Sequence, residues 1–254
     1  MSSSRTIATC LAGCLLWGLR LAAAQAGTTL TGDRIPTPEG EWIVHPIQHA
    51  TFALGWQNHV IYVDPVGGAN RFAALPRPDL VLITDIHGDH FSVETLQAVC
   101  TPATRLVAPP AVAERIPDSL RKATIILTNG ASTQLLGLTI QAVPMYNLTP
   151  ERLQYHPRGR GNGYLITAGS SRVYISGDTE DIPEMRSLRD IHIAFVCMNL
   201  PYTMSVEQAA DAVRSFRPRI VYPYHYRGSD LERFRALVGQ DSGVEIRLRD
   251  WYRP

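Results

Sequence analysis

Leu80-Val81-Leu82-Ile83-Thr84-Asp85-Ile86-His87-Gly88-Asp89-His90 runs from four consecutive apolar residues into four side chains able to bind a metal ion. An apolar run held between Asp79 and Thr84 predicts a strand buried on both faces. Beyond it, a tight turn eased by Gly88 replaces the period-two divergence of a strand, so that Asp85, His87, Asp89 and His90 can converge. A mixture of carboxylates and imidazoles suits zinc, manganese or iron. Asp, Gly and His are also ordinary turn residues, so the decision falls to the rest of the chain.

Two further clusters stand at the ends of apolar runs: Ser176-Gly177-Asp178-Thr179 and Tyr224-His225. With them, the first stretch resembles the His-x-His-x-Asp-His signature of the metallo-β-lactamase superfamily, with Asp85 where the first His is expected. Asp178 then resembles the bridging Asp of that family and His225 its last His. Further matches are His49-Ala50-Thr51-Phe52, Tyr62-Val63-Asp64-Pro65, and Tyr146-Asn147 followed by His156-Pro157-Arg158-Gly159. These resemble the branch that contains ascorbate-6-phosphate lactonases and N-acyl-phosphatidylethanolamine phospholipases. The resemblance spans nearly the whole chain after the leader.

The chain has 254 residues, 45% of them hydrophobic, with 24 basic and 23 acidic side chains interspersed along it. This fits one sizeable domain with a full core and offers no field for nucleic acid. The first 26 residues carry Arg5, an apolar stretch through Leu16 and Leu21, and Ala24-Gln25-Ala26, and read as a signal peptide cleaved before Gly27. Export to the periplasm or medium is the expectation. Arg20 breaks the apolar run below the ~20 residues a membrane-spanning helix needs. A second reading takes Leu11-Ala12-Gly13-Cys14 as a lipoprotein box with Cys14 lipidated. Past the leader only Cys100 and Cys197 remain, read as two buried thiols, with a single bridge as the alternative.

One domain is expected over residues 27–254. Residues 27–40 read as an irregular lead-in. Strands are expected at Trp42 to Val44, His49 to Leu54, Val60 to Val63, Leu106 to Ala108, Leu138 to Met145, Gly163 to Thr167, Val173 to Ile175, Ile193 to Val196 and Ile220 to Tyr222. Ser92 is expected to cap one helix, and Ser205 through Gln208 and Ser229 through Glu232 read as capping boxes opening two more, the last closed by Gly239. Two runs of strands, each followed by helices, suggest two sheets face to face with helices outside. The resemblance implies the same α/β architecture, a four-layer αββα sandwich with metals at one edge.

Carried over position by position, the resemblance implies that Asp85 and His87 face a first metal, that Asp89, His90 and His225 face a second, and that Asp178 bridges both. Asp89, His90 and Asp178 are then the catalytic residues. The first position departs from the family through Asp85 and through Asn147, which stands where the third His is usual; oxygen ligands there weaken zinc and favour harder ions. His156 is read either as restoring that ligand or as lining a substrate mouth with Arg158 and Arg160. Asp64 reads as a turn former, with a role behind a metal-bound His as the alternative; His49 lies on a strand that the resemblance places near the site, and reads at least equally as a hydrogen-bonded structural residue. Cofactors are one or two divalent ions, zinc first, then manganese or iron. The function implied is an exported hydrolase that uses metal-bound hydroxide on an ester, lactone or phosphodiester of a small or lipid-like substrate. Alternatives are an envelope binding protein with a reduced metal site and a metal-dependent oxidoreductase.

Overall fold

In a computed structural model, residues 29–252 are described; the expected leader, with Cys14, lies outside them. Two seven-stranded sheets hold the chain, each ordered as in sequence. In the first, β1 (Asp33–Thr37), β2 (Gly40–Gln48), β3 (Thr51–Trp56) and β4 (His59–Val63) pair antiparallel. β5 (Leu80–Leu82), β6 (Arg105–Ala108) and β7 (Thr124–Ile126) extend the sheet in parallel. The second sheet repeats the plan. β8 (Ser132–Leu135), β9 (Leu138–Met145), β10 (Gly161–Ala168) and β11 (Ser171–Ile175) are antiparallel, and β12 (Ile193–Cys197), β13 (Ile220–Tyr224) and β14 (Glu245–Ile246) follow in parallel.

The inner faces meet in a core where Phe52 stacks on Phe195 with ring centroids 4.2 Å apart and Trp42 Nε1 donates to Ser171 Oγ at 2.9 Å. Such aromatic pairs add specific geometry to the aliphatic burial that joins the sheets. On the outer face of the first sheet, α1 (Val93–Val99) buries Leu96 and Val99 against Val81 and Leu106, beside the single-turn helices α2 (Pro110–Ala113) and α3 (Asp118–Arg121). The one-turn α4 (Pro183–Arg186), α5 (Val206–Phe216) and α6 (Leu231–Val238) cover the second sheet, with Ala209, Val213, Phe216 and Phe234 facing inward. The expected four-layer αββα sandwich is therefore the fold observed.

Three local expectations change. The lead-in contains β1, whose residues from Asp33 to Thr37 pair with β2 from Val44 back to Gly40. His49 is not in a strand: its φ of 51° turns the chain between β2 and β3, so the second strand begins at Thr51. The cap of α6 is Asp230, which accepts from Arg233 N at 2.9 Å, whereas Ser229 Oγ donates to Met198 O. Ser92 and Ser205 cap α1 and α5 as expected, and Ser205 with Gln208 forms a complete capping box.

Candidate metal centre

Every cluster read from the sequence sits at the carboxyl end of a strand on one edge of the sandwich. Asp64 follows β4, Asp85 to His90 follow β5, Asp178 follows β11 and His225 follows β13. Three of the residues gathered there, His49, Asp64 and His225, have φ of 51°, 45° and 48°. The left-handed region is costly for a residue with a Cβ, and here it turns side chains out of strand alternation toward a common point.

Asp178 is that point. Its Oδ2 lies 3.2 Å from His90 Nε2 and 3.3 Å from both His156 Nε2 and His225 Nε2. Asp89 Oδ2 lies 3.3 Å from His225 Nε2 and 3.2 Å from His49 Nε2. On the other side, Asp85 Oδ2 is 2.9 Å from His87 Nδ1 and 3.8 Å from His156 Nε2. Burial pushes the Asp178 carboxyl up, but the imidazoles of His225, His90 and His156 outweigh it and hold the group well below the usual carboxylate range. Asp89 is lowered in the same way: burial opposes, and His225 and His49 prevail.

The donor set fits a divalent cation. His90 Nε2 and Asp178 Oδ1 are buried and have no hydrogen-bond partner, although the imidazole and the carboxylate are close neighbours. Buried polar atoms without hydrogen bonds are rare, and ligand atoms facing a shared ion are one such case. Three groups, His90 with Asp178 and His225, His49 with Asp89 and His225, and Asp85 with His87 and His156, each bring ligand atoms within 4.8 Å of one another. Behind them, Asp64 is fully buried and accepts from Thr84 N at 2.7 Å and Thr84 Oγ1 at 2.6 Å. Its Oδ2 is also 2.8 Å from His90 Nδ1, which fixes the ring with Nε2 toward Asp178. Asp64 thus stands behind His90, as well as forming the turn.

Asn147 and His156 divide the work that one residue was expected to do. Asn147 Nδ2 donates to Tyr202 O at 2.7 Å and Arg152 O at 3.0 Å, and its backbone N donates to His156 O at 2.9 Å. His156 Nδ1 lies 3.1 Å from Tyr202 O, leaving Nε2 to face Asp178. Glu180 pins this loop by accepting from Leu148 N and Thr149 N, each at 2.7 Å, and from Arg152 Nη1 at 2.6 Å. Arg158 is not brought to the centre; it pairs with Glu184 at 2.8 Å and lies over the Tyr146 ring. Arg160 forks onto Asp85, with Nε to Oδ1 at 3.0 Å and Nη2 to Oδ2 at 2.8 Å. Burial alone would raise the Asp85 carboxyl, but hydrogen bonds from His87 and Arg160 bring it down to about 2.

A cleft of about 650 Å³ opens over the cluster, with Tyr155, Leu200, Tyr202 and Arg227 on its walls. Two contributors were left open or not read at all in the sequence. His49, open between a place near the site and a structural role, joins the centre through Asp89, and Tyr252 holds it from behind with its hydroxyl 2.6 Å from His49 Nδ1. The motif His49-Ala50-Thr51-Phe52 was a signal for the first; nothing local marks Tyr252.

Residues 44–225 match the model of the beta-lactamase superfamily domain. The chain belongs to this superfamily. A UPF0173 metal-dependent hydrolase of Thermoplasma acidophilum is 30% identical over 212 residues, covering 75% of this chain and 88% of its own. A relative of the same description from Thermococcus onnurineus is 28% identical over 211 residues, covering 78% and 92%. A crystallised protein of Parabacteroides distasonis, provisionally named a metal-dependent hydrolase, is 40% identical with a TM-score of 0.80, covering 89% of this chain and all of that one. The superfamily resemblance read from the sequence is borne out, and with it a place among relatives named metal-dependent hydrolases.

Proposed function

We propose that this superfamily member is a metal-dependent hydrolase, and that its substrate is an ester, lactone or phosphodiester. The observation that carries the reading is the meeting of three imidazole nitrogens, from His90, His156 and His225, at one oxygen of Asp178, with 3.2 to 3.3 Å separations. Asp89, His90, Asp178 and His225 would hold one ion, and Asp85, His87 and His156, with Asp178, would be the donors for a second. When bound, such an ion would supply a water acidic enough to attack at neutral pH and would polarise a carbonyl or phosphoryl oxygen.

The protein's own groups then have distinct tasks. Asp89, with 45% of its side chain exposed, faces the cleft and is placed to orient an attacking water. His49 and His225 fix that carboxylate by contacts at Oδ2, and Tyr252 fixes His49. Arg227, over the Tyr252 ring at 5.4 Å, offers a cation to an anionic part of the substrate. Tyr155 and Tyr202, edge to face at 5.0 Å, give an apolar wall that displaces water from the other side. The sequence resemblance to lactonases and phospholipases supports this substrate class.

Elemental analysis of the purified protein, with turnover of generic lactone, ester and phosphodiester probes after chelation and readdition of single metals, tests the reading. Metal-dependent turnover lost in Asp178→Ala is expected. Bound metal with no turnover of any probe favours an envelope binding protein, and no bound metal overturns the proposal. Zinc is the ion expected to restore activity first, manganese or iron the alternatives. We also propose export, on the leader-like composition of residues 1–26; mass spectrometry of the mature protein should give Gly27 as its first residue.

A further inference from the structure

We propose that Arg160 is a fixed cation built into the first metal position, so that the protein holds one ion tightly and a second at least about tenfold more weakly. This rests on the metal-dependent reading above. The argument begins at the backbone. Gly161, the first residue of β10, packs so closely that a Cβ would come within 2.8 Å of Thr84 O, and Asn162 N donates to that same carbonyl at 2.9 Å. The start of β10 is thereby docked on the residue immediately before Asp85, and Arg160 is delivered to the carboxylate.

The delivered side chain is held on three sides. Its Nε and Nη2 take both oxygens of Asp85, at 3.0 and 2.8 Å; Nη2 also donates to Tyr155 O and lies 3.3 Å from His87 Nε2. The Asp85 side chain is 0% exposed and that of Arg160 18%. A guanidinium cannot lose its proton, and a bidentate fork is the strongest form of this pair. The carboxylate that stands in place of the family's first His is therefore already neutralised. His87 has its Nδ1 2.9 Å from Asp85 and its Nε2 against the same arginine. An ion entering here would meet a permanent positive charge beside two of its three own donors.

In the other half of the centre, among the described residues, no arginine or lysine is paired with Asp89 or Asp178. Among the described residues, the charged partners of Asp89 are His49, His90 and His225, and those of Asp178 are His90, His156 and His225. Imidazoles can become neutral and ligate; an arginine can do neither. The asymmetry is one of fixed charge, and it assigns the tight ion to the half containing His90 and His225. Arg160 acts through Asp85, as a positioning residue.

The test is stepwise zinc release from the purified protein to a chromophoric chelator, with elemental analysis at each stage and circular dichroism to confirm folding. Wild type should keep one equivalent where the second has left, with affinities at least about tenfold apart. Arg160→Met should strengthen the second equivalent, and Arg160→Lys, which keeps the charge, should leave it weak. If Arg160→Met fails to fold because Asp85 is left buried and unpaired, Arg160→Met with Asp85→His supplies an imidazole in its place and should bind two equivalents. Two equally tight ions in wild type, or a second equivalent lost in folded Arg160→Met, would overturn the role of Arg160 alone. A wild type that binds none of zinc, manganese and iron overturns the metal-dependent reading itself.

Discussion

Asp64 shows how one buried carboxylate can govern a site it does not enter. Fully buried, it accepts from two donors of Thr84 and lies 2.8 Å from His90 Nδ1. Asp64→Asn keeps the shape but offers an amide where His90 Nδ1–H needs an acceptor, so metal affinity should fall by about 10- to 100-fold. Competition with a chelator checks it; unchanged affinity would remove Asp64 from the argument. Glu180 plays the corresponding part for the loop that carries His156. Burial opposes its ionisation, but the hydrogen bonds of Thr149, Leu148 and Arg152 prevail and lower its pKa below the ordinary 4.5. A carboxyl depressed on folding contributes stability that is fully present above 4.5 and is lost as pH falls through the depressed value. Glu180→Gln should therefore destabilise by roughly 1–3 kcal/mol at neutral pH, and the gap to wild type should close on acidification below about pH 4. Melting curves of the pair across that range decide. The sequence displayed Asp85 to His90, Asp178 and His225 because each follows an apolar run directly. His156 stayed open between ligand and substrate wall, since its placement depends on Asn147 and Tyr202 gripping a loop with no periodicity of its own.

Strand ends position the side chains, and glycines let the strands come close enough to do so. A Cβ on Gly163, in β10, would lie 2.8 Å from both Ile175 O and Ser176 O. Backbone atoms cannot swing aside, so Gly163→Ala must push on the turn Ser176-Gly177-Asp178 that aims the central carboxylate. Overpacking of this kind costs about 1–3 kcal/mol, and here it should lower metal content as well as melting temperature. A variant that melts early yet binds metal as wild type does would separate packing from the site. At this scale most of the sequence reading held, because β-branched runs and capping serines are local signals: Ser205 with Gln208 forms its box, and β9 spans Leu138 to Met145 as expected. The failures share one physical cause. β1 is polar and pairs only along one side, His49 turns instead of extending, and Asp230 rather than Ser229 takes the cap because Ser229 is drawn to Met198 O. Each is settled by a partner far away in sequence.

Across the whole molecule, the centre is where two similarly built halves meet. Asp64 and Asp85 to His90 come from the first sheet, and His156, Asp178 and His225 from the second. Beneath them the sheets are joined by apolar contacts such as Phe52 on Phe195, and at the edge by backbone bonds such as His225 N to His49 O at 3.1 Å. An ion bound by both halves favours only the state in which they are joined, and stabilises it by RT ln(1 + [M]/Kd), about 2.7 kcal/mol when free metal is a hundredfold above Kd. The described thiols add no covalent tie: Cys197 is buried and Cys100, expected to be buried too, is half-buried; burial pushes Cys197 up to about 12 and Cys100 up to about 11, and both are free. Chelation should therefore lower the melting temperature of the whole protein in a single transition, and zinc readdition should restore it. In Asp178→Ala neither step should move the transition, because the residue shared by both halves of the centre is gone. Two separate transitions on chelation would mean that the halves fold independently. A metal-dependent shift retained in Asp178→Ala would place the stabilising ion away from the point where His90, His156 and His225 converge.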